Sequence, residues 1–437
     1  MNNWLIFDRM VSPSPSSAVG GQTPGTARPA PRAGSATALV AVLAALTAVA
    51  PLATDMYVPG FPAMGDALGA SSSSVQLTMT AFLAGLVAGQ LLIGPVSDGL
   101  GRRRLLLAGS AGFALFSLVC AVAPNAEVLT AARFLQGVAG AAGMVLARAV
   151  LTDRFHGAEL PRRFALLSQI MGVAPIAAPV LGGAVLAVST WRAVFVVLAA
   201  LGVLLLLAVG KAVPESLPPE RRHSGGVKST FRAMGGLLGR RVFMGYVLVV
   251  AFASAALFAY IGGSSFVFEN LHGVSPTVYS LIFAANAVGM LIAGAVFAKL
   301  AGRVALNTLL TVGVGLVLLG ALGQVLVVPV AGEVLAGTWA ALFVTTAGIG
   351  LVFPSGMTIA QGLGRGAPGA ASALVGGLQF LFGAAASPLV GLFGEHSSLP
   401  MGLIMLGAAG AAALSLVGLA RPWQRHGEPE ASAASGS

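Results

Sequence analysis

Three ionisable residues, Asp55, Arg133 and Arg148, stand inside apolar runs long enough to cross a membrane. A charge in hydrocarbon is costly and is kept where it works or is paired, so each is a functional candidate by default. Asp55 lies in Pro51-Leu-Ala-Thr54-Asp55-Met-Tyr57-Val-Pro59-Gly-Phe-Pro62, which reads as the outer end of a first span. Arg133 opens Arg133-Phe-Leu-Gln136-Gly137, early in a fourth span that starts on the same side. At ~1.5 Å rise per residue both fall within roughly 8 Å of that boundary, so they are expected to meet at one depth. An aspartate between burial, which favours the neutral form, and an arginine, which favours the charged one, is poised to load and release a proton. Two other readings stay open: Asp55 as an interfacial residue wetted from outside, and Arg133 as half of a fixed ion pair. Arg148 is nearer the inner face, where it can snorkel to water.

A second cluster lies between spans, in Gly94-Pro-Val-Ser-Asp98-Gly-Leu-Gly101-Arg102-Arg103-Arg104. Apolar runs flank it, Val75 to Val96 and Leu105 to Ala123, so it is a short turn between two helices. Three arginines cannot lie in hydrocarbon, and their side of a membrane is normally the cytoplasm. A generic positive loop explains the arginines but not the spacing Gly-x-x-x-Asp-x-x-Gly-Arg-Arg. That spacing resembles the loop 2–3 signature of the major facilitator superfamily. Gly94, Asp98, Gly101, Arg102 and Arg103 are therefore expected to form a conformational gate. Asp98 locks neighbouring helices in one state and is not expected to carry the proton.

The elements that must position these residues follow from composition. The chain has 437 residues, 57% hydrophobic and 9% charged, with a mean hydropathy of +0.90. Soluble domains average ~25% charged, so this is a polytopic membrane protein. Apolar runs occur at about 37–57, 75–97, 104–123, 128–152, 164–188, 191–212, 242–266, 277–299, 305–328, 332–355, 370–393 and 399–420. Twelve spans put both termini on one side. The segments on that side carry nearly all the Lys and Arg, while the other side offers Asp66, Glu127, Glu269, Glu333, Glu395 and the lone basic Arg192. The net charge of +10 is thus topological, with termini cytoplasmic, and no nucleic acid partner is expected.

The expected organisation is a disordered N-terminal tail (1–35), a six-helix bundle (36–213), a cytoplasmic linker (214–241), a second six-helix bundle (242–420) and a C-terminal tail (421–437). Ala298-Lys299-Leu-Ala-Gly302-Arg303 reads as a worn copy of the first turn, 201 residues on, without the acid or the arginine cluster. Two related halves suit a transporter of parallel repeats. The lone Cys120 and five scattered histidines exclude an internal disulfide and offer no metal-ligand spacing, so no metal or cofactor is expected.

Small residues and prolines give a further signal. Gly137, Gly140 and Gly143 let the fourth span approach its neighbours. The fifth span reads Gly172-Val-Ala-Pro175-Ile-Ala-Ala178-Pro179-Val-Leu-Gly182-Gly183, where prolines bend the helix and glycines permit close contact, a use that simple packing also explains. Pro-x-x-Gly-Gly at Pro179, Gly182 and Gly183 resembles the antiporter signature of drug-exporting facilitators, with Ala178 replacing its first glycine. Tyr57, Gln76, Thr80, Tyr260, Asn286 and Gln379 are the candidates for placed polar groups in a mostly apolar cavity. Each could instead make an interhelical hydrogen bond.

An ordered set of motifs narrows the resemblance. Asp55-Met-Tyr57-x-Pro59, Val75-Gln-Leu-Thr78, Gly89-Gln90, Arg133-Phe-Leu-Gln-Gly137, Trp191-Arg192-x-x-Phe195, Pro214-Glu215-Ser-Leu217, Ala259-Tyr-Ile261, Ser275-Pro276, Phe353-Pro354 and Ala371-Ser-Ala-Leu374 occur in sequence. Together they resemble the Bcr/CflA drug-resistance subfamily over about 37–420. The resemblance implies an all-α, twelve-helix, monomeric drug–proton antiporter of a bacterial inner membrane, with Asp55 and Arg133 as the coupling residues. Its partners would be protons, the bilayer and a small drug. The lack of charge inside the second-half spans suits neutral or weakly cationic, fairly apolar cargo. The runner-up is a facilitator exporting an endogenous metabolite such as an amino-acid-like compound. An integral-membrane enzyme is disfavoured, because no Gly-x-Ser-x-Gly, His-Glu-x-x-His or clustered acids occur.

Overall fold

The computed structural model describes residues 33–155, 159–222, 226–392 and 397–427. Most of the two expected tails lies outside the described residues. Among those described, twelve helices are long and apolar enough to cross a membrane. The first span is α1 (Ala33–Asp55), a 3-10 turn (Val58–Gly60) and α2 (Phe61–Leu68) in succession. The first half continues with α3 (Ser72–Leu100), α4 (Arg102–Ala121), α5 (Ala126–Arg154), α6 (Glu159–Val188) and α7 (Trp191–Ala212). The linker contains a helix of its own, α8 (Gly226–Leu238). The second half comprises α9 (Arg241–Ser265), α10 (Pro276–Leu300), α11 (Leu306–Ala331), α12 (Leu335–Leu363), α13 (Pro368–Leu392) and α14 (Leu399–Ser415). A π-helical turn carries α9 on to Leu271, and another carries α14 on to Ala420.

Hydropathy misplaced some ends. The first span does not stop at residue 57, because apolar helix resumes at Phe61. The tenth, expected at 332–355, is α12 and runs to Leu363. Thr358 and Gln361 lower the hydropathy there while helical bonding continues up to Gly364, whose N–H still reaches the Ala360 carbonyl at 3.0 Å.

The two halves repeat one packing scheme. In the first, α5 packs on α3 and α4, α4 on α7, and α1 on α6 and α7. In the second, α12 packs on α10 and α11, α11 on α14, and α9 on α13 and α14. The pairs correspond one to one, as parallel repeats require. Backbones touch where α3 crosses α5: a Cβ on Gly85 would strike the Phe134 carbonyl, and one on Gly137 the Phe82 carbonyl. Only glycine permits that approach. The two Gly-Arg turns also correspond, with Gly101 at φ 95° and Gly302 at φ 87°.

The halves meet along two seams, α3 with α13 and α6 with α10. Hydrogen bonds from α3 to α9 and α13 gather at the end far from the arginine turn. Gln76 Nε2 donates to Gly262 O at 3.0 Å and its Oε1 accepts from Gly391 N at 3.0 Å. Thr80 Oγ1 donates to Ala384 O at 2.7 Å, and Ser73 Oγ to Pro388 O at 3.4 Å. Phe61 and Phe266 face each other at the same end, centroids 6.1 Å apart. That end is sealed.

Candidate functional site

Asp55 owes its position to a proline four residues on. In a helix the carbonyl of residue 55 would accept from the N–H of residue 59, but Pro59 has none and its ring crowds that carbonyl. Helix α1 therefore ends at Asp55, with Met56 N still bonded to Leu52 O at 3.1 Å. Thr54 Oγ1 turns back to Ala50 O at 2.9 Å, using its hydroxyl locally. The Asp55 side chain, 5% exposed, faces a cavity of about 240 Å³ between the halves. Thus Asp55 is buried within the bundle rather than wetted at the end of the first span.

The cavity wall is mostly apolar, including Leu86, Met144, Met171, Phe258, Met290, Phe353 and Phe380. Its polar members are Thr54, Asp55, Tyr260, Asn286, Thr346 and Gln379, and Asp55 alone among them is an acid or base of the Asp, Glu, Lys, Arg or His type. A larger void of about 530 Å³ lies on the far side of α1, against α6 and α7. Its lining is entirely hydrocarbon and thioether, so it can hold apolar matter but do no acid–base chemistry.

Arg133 is fully buried but makes no ion pair with Asp55. Its Nη2 donates to the Ala53 carbonyl at 3.0 Å and its Nη1 to Gln136 Oε1 at 2.6 Å. Gln136 passes the chain on to Ser117 Oγ at 2.6 Å. The guanidinium carbon lies 4.2 Å from the Phe82 ring centroid and 4.3 Å from that of Tyr57, with Phe195 at 5.7 Å. Such a cage replaces water around the cation. The expected meeting of the two residues is real at the level of the helix turn, but the contact runs through the backbone. Asp55 looks into the cavity, whereas Arg133 is absent from its wall.

At the arginine turn, Arg102 gathers acids from three segments. Its Nη1 meets Asp98 Oδ1 at 2.7 Å and also contacts Ser97 Oγ. Its Nε reaches Asp153 Oδ2 on α5 at 3.4 Å. Ser216 Oγ of the linker donates to that same Asp153 oxygen at 2.8 Å. Glu215 completes the clasp by capping α4, accepting from Arg102 N at 2.9 Å and Arg103 N at 3.3 Å. Partial burial alone would raise the Glu215 pKa. The N–H donors of Leu217, Arg102 and Arg103 and the Arg222 charge outweigh it, so the carboxyl sits below its usual value. A Cβ on Gly101 would push the Glu215 carboxylate away from the turn, since it would press on Glu215 Oε2. Arg103 Nη2 donates to Gly210 O at 2.8 Å, and Gly94 faces Val145. The expected gate residues are thus brought together, except that Asp98 is 43% exposed and binds only within its own turn.

The Pro-Gly helix divides its work. Pro175 lines the cavity, while Gly182 packs against the Met56 carbonyl just after Asp55, and Gly183 against Ser280 of α10. Pro179 lies between them in α6. Of the six cargo candidates, Tyr260, Asn286 and Gln379 line the cavity. Tyr57, Gln76 and Thr80 do not. Tyr57 bonds Thr78 Oγ1 at 3.2 Å and walls the Arg133 cage, and the other two seal the α3–α13 seam. Arg148 meets Met171 Sδ at 3.7 Å and is exposed.

Sequence reasoning did not place Glu215, Asp153 and Ser216 at the turn, although Glu215 and Ser216 stand in a quoted motif, and it missed Trp339 behind the cavity. Glu215 had a signal: an acid directly after Pro214, opposite a run of arginines. Trp339, whose indole bonds Asn286 at 3.0 Å, had none beyond being a donor in an apolar span.

Residues 43–388 match the family model described as Major Facilitator Superfamily. YdgK of Bacillus subtilis, described as an uncharacterized MFS-type transporter, is 40% identical over 386 residues, covering 88% of this chain and 96% of that protein. A bicyclomycin resistance protein homolog of Haemophilus influenzae is 28% identical over 372 residues, covering 84% and 92%. A bacterial homologue of the human lysosomal transporter Spinster, solved inward-facing and unoccupied, superposes with a TM-score of 0.70 at 16% identity, covering 92% of this chain and all of that one. At that identity the likeness is one of fold.

Proposed function

The chain belongs to the major facilitator superfamily, and from that premise we propose that it exports small, fairly apolar drugs in exchange for protons. The observation that carries this reading is Asp55, a buried carboxyl in the wall of an apolar cavity between the halves. A proton on that carboxyl changes the charge of the cavity between the halves where cargo would rest. Loading of the proton and of the drug therefore compete.

In this reading the membrane is the bacterial inner membrane and the arginine turn faces the cytoplasm, by the positive-inside bias. The state described is then sealed toward the outside, with Gln76 and Thr80 as the seal. Facing inward, Asp55 releases its proton and drug enters the cavity. The halves rock about the cavity, the seal opens, and Asp55 takes a proton from outside, which disfavours drug retention. Arg133 acts by position: it holds the Ala53 carbonyl and so the end of α1 that carries Asp55. The Arg102 clasp joins the turn to α5 and the linker, so that the end of the first half moves as one piece. The monomer suffices for this cycle.

The test is drug-dependent proton release from the purified protein in detergent, followed with a pH dye in unbuffered solution near neutral pH. A drug panel is expected to release protons from wild type and none from Asp55→Asn. Release undiminished in Asp55→Asn would move the carrier elsewhere. Drug binding without release from wild type would replace antiport by uncoupled export, the behaviour expected of a metabolite facilitator.

A further inference from the structure

The Tyr260 hydroxyl ends a hydrogen-bond chain whose polarity is set by its first member. An indole N–H can only donate. Trp339 Nε1 donates to Asn286 Oδ1 at 3.0 Å, which determines which way round the Asn286 amide stands. The amide nitrogen is then the donor on the other side, and Asn286 Nδ2 reaches Tyr260 Oη at 3.0 Å. A phenol oxygen that already accepts keeps its own proton for a further partner. No acceptor among the described residues takes that proton, and Tyr260 lines the central cavity. The ring cannot swing away, being stacked on Phe283 at 5.4 Å and 22°.

We infer that Tyr260 is a specificity-determining residue, offering cargo one oriented O–H donor and so selecting molecules with a carbonyl or similar oxygen acceptor. Trp339 is its positioning residue, acting through Asn286. The other second-half polar groups in the wall impose no such demand. Thr346 Oγ1 spends its proton on the Leu342 and Phe343 carbonyls. The Gln379 amide carries donors and an acceptor together and so fits either kind of cargo. A ligand without an acceptor leaves the Tyr260 proton desolvated and unpaired, and sites built to hydrogen-bond a ligand reject analogues that cannot answer. The inference rests on the drug-export reading and names the cargo chemistry at that same cavity.

The experiment is equilibrium binding of radiolabelled chloramphenicol, which bears an amide carbonyl, to the purified full chain in detergent. Tyr260→Phe keeps the ring and removes the donor, and is expected to weaken binding about tenfold. Trp339→Phe frees the Asn286 amide to turn over and take the Tyr260 proton on Oδ1, so it is expected to weaken binding as well. Because Trp339 acts only through Tyr260, the double variant is expected to bind no more weakly than Tyr260→Phe alone. Losses that simply add would mean two packing effects and overturn the inference, as would a Tyr260→Phe protein with wild-type affinity. Failure of wild type to bind chloramphenicol or any other acceptor-bearing drug would instead sink the export reading beneath it.

Discussion

In the first half a guanidinium on α5 holds the cavity end of α1, whereas in the second an indole on α12 holds the cavity face of α9 through Asn286. The helices correspond in the repeat, but the donors differ in kind. Arg133 brings a charge into a dry interior, and needs two acceptors and three aromatic rings to replace its water. Trp339 brings a neutral N–H and needs one bond. The half with the heavier cage is also the half whose cavity residue can change charge. In the proposed cycle the labour is divided: the first half holds the carboxyl that changes state, and the second holds a fixed shape. The Gly-Arg turns divide in the same way. Around Gly101 the linker, through Glu215, and α5, through Asp153, close on Arg102, while a Cβ on Gly302 would meet open space.

The largest expected effect is at the cage. Arg133→Leu leaves the Ala53 carbonyl and the Gln136 oxygen buried without their donor, at about 1–3 kcal/mol for each orphaned group. It should therefore lower the melting temperature in detergent well beyond any second-half change. Arg133→Lys should not rescue it, since an ammonium cannot span both acceptors and stack between rings. A Leu variant that melts with wild type would erase the contrast between the halves.

The turns come next. Alanine at either glycine costs about 1–3 kcal/mol for a positive-φ backbone that L side chains avoid. Gly101→Ala adds a clash with the Glu215 carboxylate that Gly302→Ala lacks, so it should melt lower; equal shifts would break the comparison. Trp339→Phe should cost roughly 1 kcal/mol, the net worth of one neutral hydrogen bond. A loss as large as that of Arg133→Leu would show that the second-half donor carries the same weight.

The smallest effect is at Glu215. Its pKa is lowered in the folded chain, so the clasp stabilises fully above the usual 4.5 and fades as pH falls below it. Because the group is only partly buried, solvent screening keeps the gain to about 1 kcal/mol or less. Glu215→Gln should melt slightly below wild type at pH 7 and converge with it only once pH falls through the lowered pKa of the folded carboxyl. A difference that persists unchanged in acid would assign the effect to the shape of the residue rather than its charge.

Much of this was legible before any coordinates. The spans, the arginine turn and its copy at Gly302 are local features, because hydropathy and a positive φ are properties of a few neighbouring residues. The end of α1 at Asp55 is local too, since the missing N–H of Pro59 stands only four residues away. Along a single helix, depth can be counted at ~1.5 Å per residue, which is why Asp55 and Arg133 were expected at one level. Rotation about the helix axis cannot be counted that way. Tyr260, Asn286 and Gln379 face the cavity, while Gln76 and Thr80 face the seam, yet all five are polar residues in apolar spans with identical sequence signals. Residue types and spacing by themselves determined which side chains had to be satisfied inside the membrane. Only the packing of α3 on α13, of α5 on α1 and of α12 on α10 decided by what, because hydrogen-bond partners are set by where helices meet.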